Sequence, residues 1–325
     1  MKRTSRGAIF WGAALVTAGL VILAIQQGYV SDDILNEASR WWPLILIGAG
    51  VAIIFSGVLG GIATALAGML LGVLVGGLIG GGANFSTACG TGDPGPLRAF
   101  EEGSFAGLER ADVRIELNCV KLEVAGGAGK IEWSVEADED AAANLDLSSG
   151  PSSLELRSKD SMVAGTDPRR HVALVVPAGE GTNLTSQLNA GNATFDLADG
   201  QWGEINIDGN AVAIQLDLSD AEADGLESSL NAGSMGIQLS ENSRVDGIQL
   251  SANAGEFHVC APDGIGLQII IGSNLAASHN LEEEGLDQDG DMWRTPGYAS
   301  ADNQIEITFS GNAAAFTLNP EGGCS

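Results

Sequence analysis

Histidine and tyrosine are nearly absent from this chain of 325 residues, with three copies of the first and two of the second. The histidines (His171, His258, His279) are scattered, so no pair is spaced for metal ligation or for activating a nucleophile. There is no G-x-S-x-G elbow and no phosphate-cradling glycine loop. With 42 acidic residues, any carboxylate pair chosen as an acid–base couple would be uninformative. The sequence therefore points away from an enzyme, and no cofactor is expected. Basic residues are scarce as well: 15 Lys and Arg stand against 42 Asp and Glu, a net charge of −27. Nucleic acid and anionic lipid surfaces would repel such a chain. The four cysteines (Cys89, Cys119, Cys260, Cys324) have no C-x-x-C spacing, which speaks against zinc and redox motifs. They allow several disulfide pairings, and the sequence does not choose among them.

Apolar sequence is abundant and unevenly placed. Residues 8–25 carry no charge, and none occurs from Pro43 to Gly90. Lys2, Arg3 and Arg6 precede the first run, and Gln26-Gln27-Gly28-Tyr29 after it does not resemble a cleavage site, so a retained anchor is expected. As a single helix, residues 43–82 would be about 60 Å long, twice the hydrocarbon thickness, so the segment must turn back. The turn falls in Ser56-Gly57-Val58-Leu59-Gly60-Gly61. The sequence thus predicts a transmembrane region over 1–90, with helices near 8–26, 43–58 and 62–81. The three N-terminal cations place the start in the cytoplasm, and three crossings place the remainder outside, making a multi-pass membrane protein with an extracytoplasmic C-terminal domain. Gly68, Gly72, Gly76 and Gly80 line one ridge of the third helix, suited to a homo-oligomeric contact or to packing within its own bundle.

Residues 91–107 read as a linker, and 108–325 as a β domain with an internal repeat. Asn189, Asn210, Asn231, Asn253 and Asn274 are spaced by 21, 21, 22 and 21 residues. Apolar residues fall five before each (Leu184, Ile205, Leu226, Ile248, Ile269), four after (Ala193, Ile214, Met235, Phe257) and six after (Phe195, Leu216, Ile237, Val259). Polar residues alternate with them, as in strands with one face in and one out. Asn118 and Asn312 sit in the same frame, whereas the Asn274 copy loses its second strand to Ser278 and Asn280. A fixed period with short strands describes a β-solenoid, the alternative being a β-sandwich with evenly spaced turns. Stacked asparagines would bond to the copies above and below, and Asn tolerates the left-handed corner that Asn-Ala-Gly needs.

Asp287-Gln288-Asp289-Gly290-Asp291 is the sharpest candidate metal site, with Asp287, Asp289 and Asp291 placed to wrap Ca²⁺. It lacks the downstream bidentate Glu of an EF-hand loop, and a solvated acidic turn is the plainer reading. Glu282-Glu283-Glu284 and Asp138-Glu139-Asp140 read as exposed corners in the same way.

The segment Gly7-Ala8-Ile9-Phe10-Trp11-Gly12, followed by Trp41-Trp42-Pro43-Leu44-Ile45-Leu46-Ile47-Gly48, resembles the LiaI/LiaF-like transmembrane region of bacterial envelope proteins. The run His171-Val172-Ala173-Leu174-Val175-Val176-Pro177-Ala178-Gly179, the Asn-Ala-Gly turns and the closing run from Trp293 to Asn312 are similar to the toast-rack domains, the DUF4097-type “putative adhesin” β-repeats. The resemblance implies a right-handed, single-stranded β-solenoid and, in LiaF-like members, negative control of a stress-sensing two-component system. Together these readings describe a non-enzymatic, membrane-anchored envelope protein that regulates or senses envelope stress. Its expected partners are the membrane, a sensor kinase or envelope protein, and a second copy through the helices. The alternative is a structural or adhesin-like surface module without a signalling role.

Overall fold

A computed structural model describes residues 95–107, 110–127, 131–159, 170–179, 181–272 and 278–324. They belong to the second of two units of the chain, Phe85–Ser325. The expected membrane helices, the glycine ridge Gly68, Gly72, Gly76 and Gly80, Cys89 and Asn274 lie outside the described residues. Among the described residues no helix is long and apolar enough to cross a membrane.

The described residues are mostly strand. In chain order they form β1 (Arg98–Ser104), β2 (Asp112–Leu117), β3 (Val120–Gly127), β4 (Glu132–Ala137), helix α1 (Glu139–Asn144), β5 (Leu145–Ser149), β6 (Ser153–Ser158), β7 (Arg170–Pro177), β8 (Thr182–Leu188) and β9 (Gly191–Asp196). There follow β10 (Gln201–Gly209), β11 (Val212–Asp217), β12 (Glu222–Gln238), β13 (Arg244–Val245), β14 (Ile248–Cys260), β15 (Gly266–Ile271), β16 (Ser278–His279), β17 (Asp287–Asp289), β18 (Met292–Arg294) and β19 (Gln304–Leu318). All belong to one curled, half-barrel sheet.

Period-two alternation makes the strands. In β9 and β11 every second residue is buried, because successive side chains on a pleated strand point to opposite faces. Parallel pairing then lines up like positions. Leu184 pairs with Ile205, Ile205 with Leu226, and Leu226 with Ile248. On the adjoining face Phe195, Leu216, Ile237 and Val259 pair in the same succession. All eight are buried. Each such side chain contributes about 1.5–3 kcal/mol on leaving water. Phe309 sits centrally, its ring 6.1 Å from that of Phe257 and 5.6 Å from that of Phe316.

At both ends, order in space departs from order in the chain. β19 lies between β14 and β15, pairing in parallel with each. At the other end β2 and β3 lie between the β8/β9 layer and the β6/β7 layer. Antiparallel strands cover the outermost parallel ones: β18 on β15, β5 on β6 and β4 on β7. Such covering moves the sheet edge outward from the long parallel strands to β5, β17 and β1, each of which is paired on one side among the described residues. β1, which adds to β4, lies within the stretch expected to be linker.

Two local expectations are corrected. Asp138 is not an exposed corner residue: it is 2% exposed, and its carboxylate accepts from the backbone N–H of Ala141 (2.7 Å) and of His171 (2.8 Å). It is the N-cap of α1, where its side chain satisfies an orphan donor of the first helical turn and a backbone N–H of β7. The left-handed corner conformation falls on Gly191 (φ 120°) and Gly233 (φ 128°) rather than on the ladder asparagines. A β-carbon on either glycine would collide with the Val120 or Val212 carbonyl of the neighbouring layer, so the position excludes side chains. Cys260 and Cys324 form a disulfide, and Cys119 is also disulfide-bonded.

Candidate interaction surface

An asparagine stands between β8 and β9, another between β10 and β11, and one within each of β12, β14 and β19. Asn189 Nδ2 donates to Asn118 Oδ1, Asn210 to Asn189 and Asn231 to Asn210. Asn253 donates to Asn231 at 2.8 Å, and Asn312 donates to Asn253 at 2.9 Å. The neighbour beyond Asn253 is therefore Asn312, carried there by the insertion of β19. All five bonds run in one direction, so the amide dipoles add and each bond polarises the next. Asn189, Asn210, Asn231, Asn253 and Asn312 are exposed.

A second polar column runs beside this ladder. Strand register aligns Glu116, Gln187, Asp208, Ser229, Ser251 and Ser310. Each stands two residues before a ladder asparagine, an offset that is visible in the sequence. A concavity of about 440 Å³ lies along the two columns from Glu116 and Asn118 to Ser229 and Asn231. A smaller one of about 180 Å³ follows it to Ser310 and Asn312. Arg157 closes the first end, paired with Glu116 at 3.2 Å and with Glu155.

The other charged groups lie elsewhere. On the adjoining face Glu123 accepts from Lys121 Nζ (2.7 Å) and lies 3.2 Å from His171 Nε2. The Lys121 hydrogen bond, followed by its charge and the His171 contact, holds the Glu123 carboxyl below its ordinary range against partial burial. Contact with His258 similarly lowers Glu256. At the corner opposite the ladder, Asp220 has φ 57° and accepts from Ser240 Oγ and Asn242 Nδ2, both at 2.8 Å. Those two bonds, Ser240 first, lower its carboxyl.

Asp287 and Asp289 lie on β17 and Asp291 in the turn to β18, all exposed. Among the described residues no group of three or more His, Cys, Asp or Glu side chains is arranged to hold a metal ion. Nor do the scattered histidines meet one another: His171 faces Glu123, His258 faces Glu256, and His279 packs its ring 5.0 Å from that of Trp293.

Residues 9–54 match the model of the LiaI-LiaF-like transmembrane region. The chain therefore has an N-terminal transmembrane region and is membrane-associated. No curated protein matches it in sequence. Among solved structures it is similar to a “putative cell adhesion protein” from Clostridium sporogenes, with 14% identity, a TM-score of 0.43, and 69% of this chain and 99% of that one covered. It is also similar to a “putative adhesin” from Bacteroides fragilis, at 8% identity and TM-score 0.28, covering 69% of this chain and 97% of that one. A third is a “putative lipid binding protein” from Parabacteroides distasonis, at 12% identity and TM-score 0.27, covering 70% of this chain and 98% of that one.

Proposed function

We propose that this chain is a non-enzymatic, multi-pass membrane protein of the cell envelope that regulates or senses envelope stress through an extracytoplasmic β-solenoid surface. The observation that carries the reading is the polar concave face beside the asparagine ladder, two adjoining concavities that form a long, regular recognition surface. A right-handed, single-stranded solenoid of about 21 residues per turn over 108–325 is supported by the parallel register, in which Ile205 meets Leu226 and Ile214 meets Met235. Placement outside the cytoplasm is supported by the disulfides, which persist in oxidising compartments. The helices over 1–90 tether the domain and present it to a sensor kinase or envelope protein. Gly68, Gly72, Gly76 and Gly80 give them a ridge for a second copy.

Sidedness is tested with an introduced thiol, because Cys119 and Cys324 are both oxidised. Glu283→Cys, at an exposed position, should react with a membrane-impermeant maleimide on intact cells. Reaction only after lysis would overturn the extracytoplasmic placement. Deleting the chain should raise the basal output of its two-component partner. Unchanged output alongside lost surface attachment would favour the structural module instead.

A further inference from the structure

We infer that the concave face beside the asparagine ladder is a binding groove for an extended glycan strand, uncharged or amine-bearing, lying along the stack and across the strands. The inference rests on the extracytoplasmic reading above, since such polymers belong to the envelope.

The first argument is hydrogen-bond valence. A side-chain amide has two N–H donors and two acceptor lone pairs. In Asn189, Asn210, Asn231 and Asn253 the ladder takes one of each, to the layers on either side. A second N–H and a second lone pair remain per rung. Beside them Gln187, Asp208, Ser229 and Ser310 add exposed donors and acceptors at the same spacing. A ligand that gives and takes hydrogen bonds at every step suits this lining, and a pyranose ring with hydroxyl or acetamido groups does so.

The second argument is repeat length. Neighbouring strands are about 4.8 Å apart, so the ladder from Asn118 to Asn312 spans about 24 Å. A pyranose in an extended β-linked chain advances by nearly one strand spacing. Successive sugars, alternately turned over along such a chain, therefore each meet one ladder asparagine, and weak contacts accumulate into avidity along the strand.

Competing polymers fit less well. The apolar lining residues, Leu188, Leu230 and Ala252, are themselves buried, so the groove offers no exposed apolar surface to seat an apolar peptide side chain. β8, β10, β12 and β14 are each paired on both sides, which leaves no open edge for backbone addition. Anionic polymers would face Asp208, and at the Glu116 end both cations are already held, Arg114 by Glu116 and Arg157 by Glu116 and Glu155.

The test is calorimetric titration of the full-length protein in nanodiscs with N-acetylglucosamine oligomers of two to six units. Affinity should rise about tenfold or more from dimer to hexamer. Ser229→Arg and, separately, Gln187→Arg place a bulky cation in the groove at exposed positions and should each weaken hexamer binding about tenfold with an unchanged melting temperature. Asp196→Arg, exposed on the adjoining face, should leave binding as it was. Absent binding, equal affinity for all lengths, full binding by both groove variants, or equal binding of an uncharged extended peptide would each overturn the proposal. Because the titration uses purified protein, its failure is separate from failure of the maleimide experiment, which reads sidedness alone.

Discussion

From Thr182 to Cys260 the parallel strands lie side by side in chain order, whereas at both ends later or earlier segments lie between strands that are neighbours in the chain. In the middle, β8, β10, β12 and β14 follow one another in space as in sequence. At the ends, β19 enters between β14 and β15, and β2 with β3 enters between β6 with β7 and β8 with β9. A stack with nearest-neighbour contacts gains stability layer by layer, and its last layer can fray alone. Inserting the terminal strands one layer inward removes that freedom. β15 cannot leave β19 without exposing Phe309, which also packs on Phe257 of the interior. The difference teaches that the middle is additive and the ends are tied.

Phe195 in the middle and Phe309 at the tied end separate these behaviours most sharply. Both are fully buried, and changing either to Ala should cost about 3–5 kcal/mol, the largest effect expected. Hydrogen exchange distinguishes them. Phe309→Ala should lower protection in β14, β15 and β19 together, whereas Phe195→Ala should act on β9 and the β3 and β11 strands beside it. Loss of protection confined to β19 would break the comparison.

The disulfide between Cys260 and Cys324 closes a 64-residue separation that contains the whole inserted end. Replacing both by Ser should cost about 4 kcal/mol through the freed unfolded chain, read as a lowered denaturation midpoint. Exchange in β10 and β11 should be unchanged if the ends fold as tied units. An asparagine comparison is smaller. Asn231→Leu removes two ladder bonds and Asn312→Leu removes one, so the middle variant should cost roughly twice the end variant, at about 0.5–1.5 kcal/mol per bond. Equal costs would mean that the ladder does not act bond by bond.

The sequence makes the all-β class and the interior columns legible because alternation and burial share one cause. Leu184, Ile205, Leu226 and Ile248 are apolar at one offset from an asparagine, and they are the residues that pack together. The order at the C-terminal end was not legible, since Ile269 and Ile271 carry the same local pattern as Ile307 and Phe309. Length decides the contest. β19 is 15 residues long and matches β14 from Ile248↔Ile307 to Val259↔Leu318 over both faces. Among the described residues the 266–279 copy offers the six of Gly266–Ile271 and then Ser278–His279. The role of Asp138 is not legible in the sequence because an acidic triplet looks alike in solvent and at a helix start; the alanines at 141–143 are what turn it into a cap. As for the candidate groove, the ladder asparagines stand out by their period, while Gln187, Asp208 and Ser229 share only polarity and position, so they pass for ordinary outward residues.

The smallest effect contrasts a middle corner with a layer near the end. Asp220 and Glu123 both have carboxyls held below their ordinary range, Asp220 by the Ser240 and Asn242 hydrogen bonds and Glu123 first by Lys121. For each, the unfolded chain binds more protons than the folded one as the pH drops through about 4. The stability each contributes is therefore complete above the ordinary carboxylate pKa and disappears as the pH falls through the lowered folded value. Asp220→Asn keeps an acceptor and tolerates φ 57°, and Glu123→Gln keeps an acceptor for Lys121. The melting-temperature difference between parent and either variant should be flat from about pH 7 to 5 and shrink below about pH 4. Salt then separates them. Asp220 is held by neutral donors and should respond little. Glu123 depends on a partly exposed cation, so about 1 M salt should remove most of its difference, because the Debye length falls to about 3 Å. If salt acts equally on both, the corner opposite the ladder is held by long-range charge and not by its own hydrogen bonds.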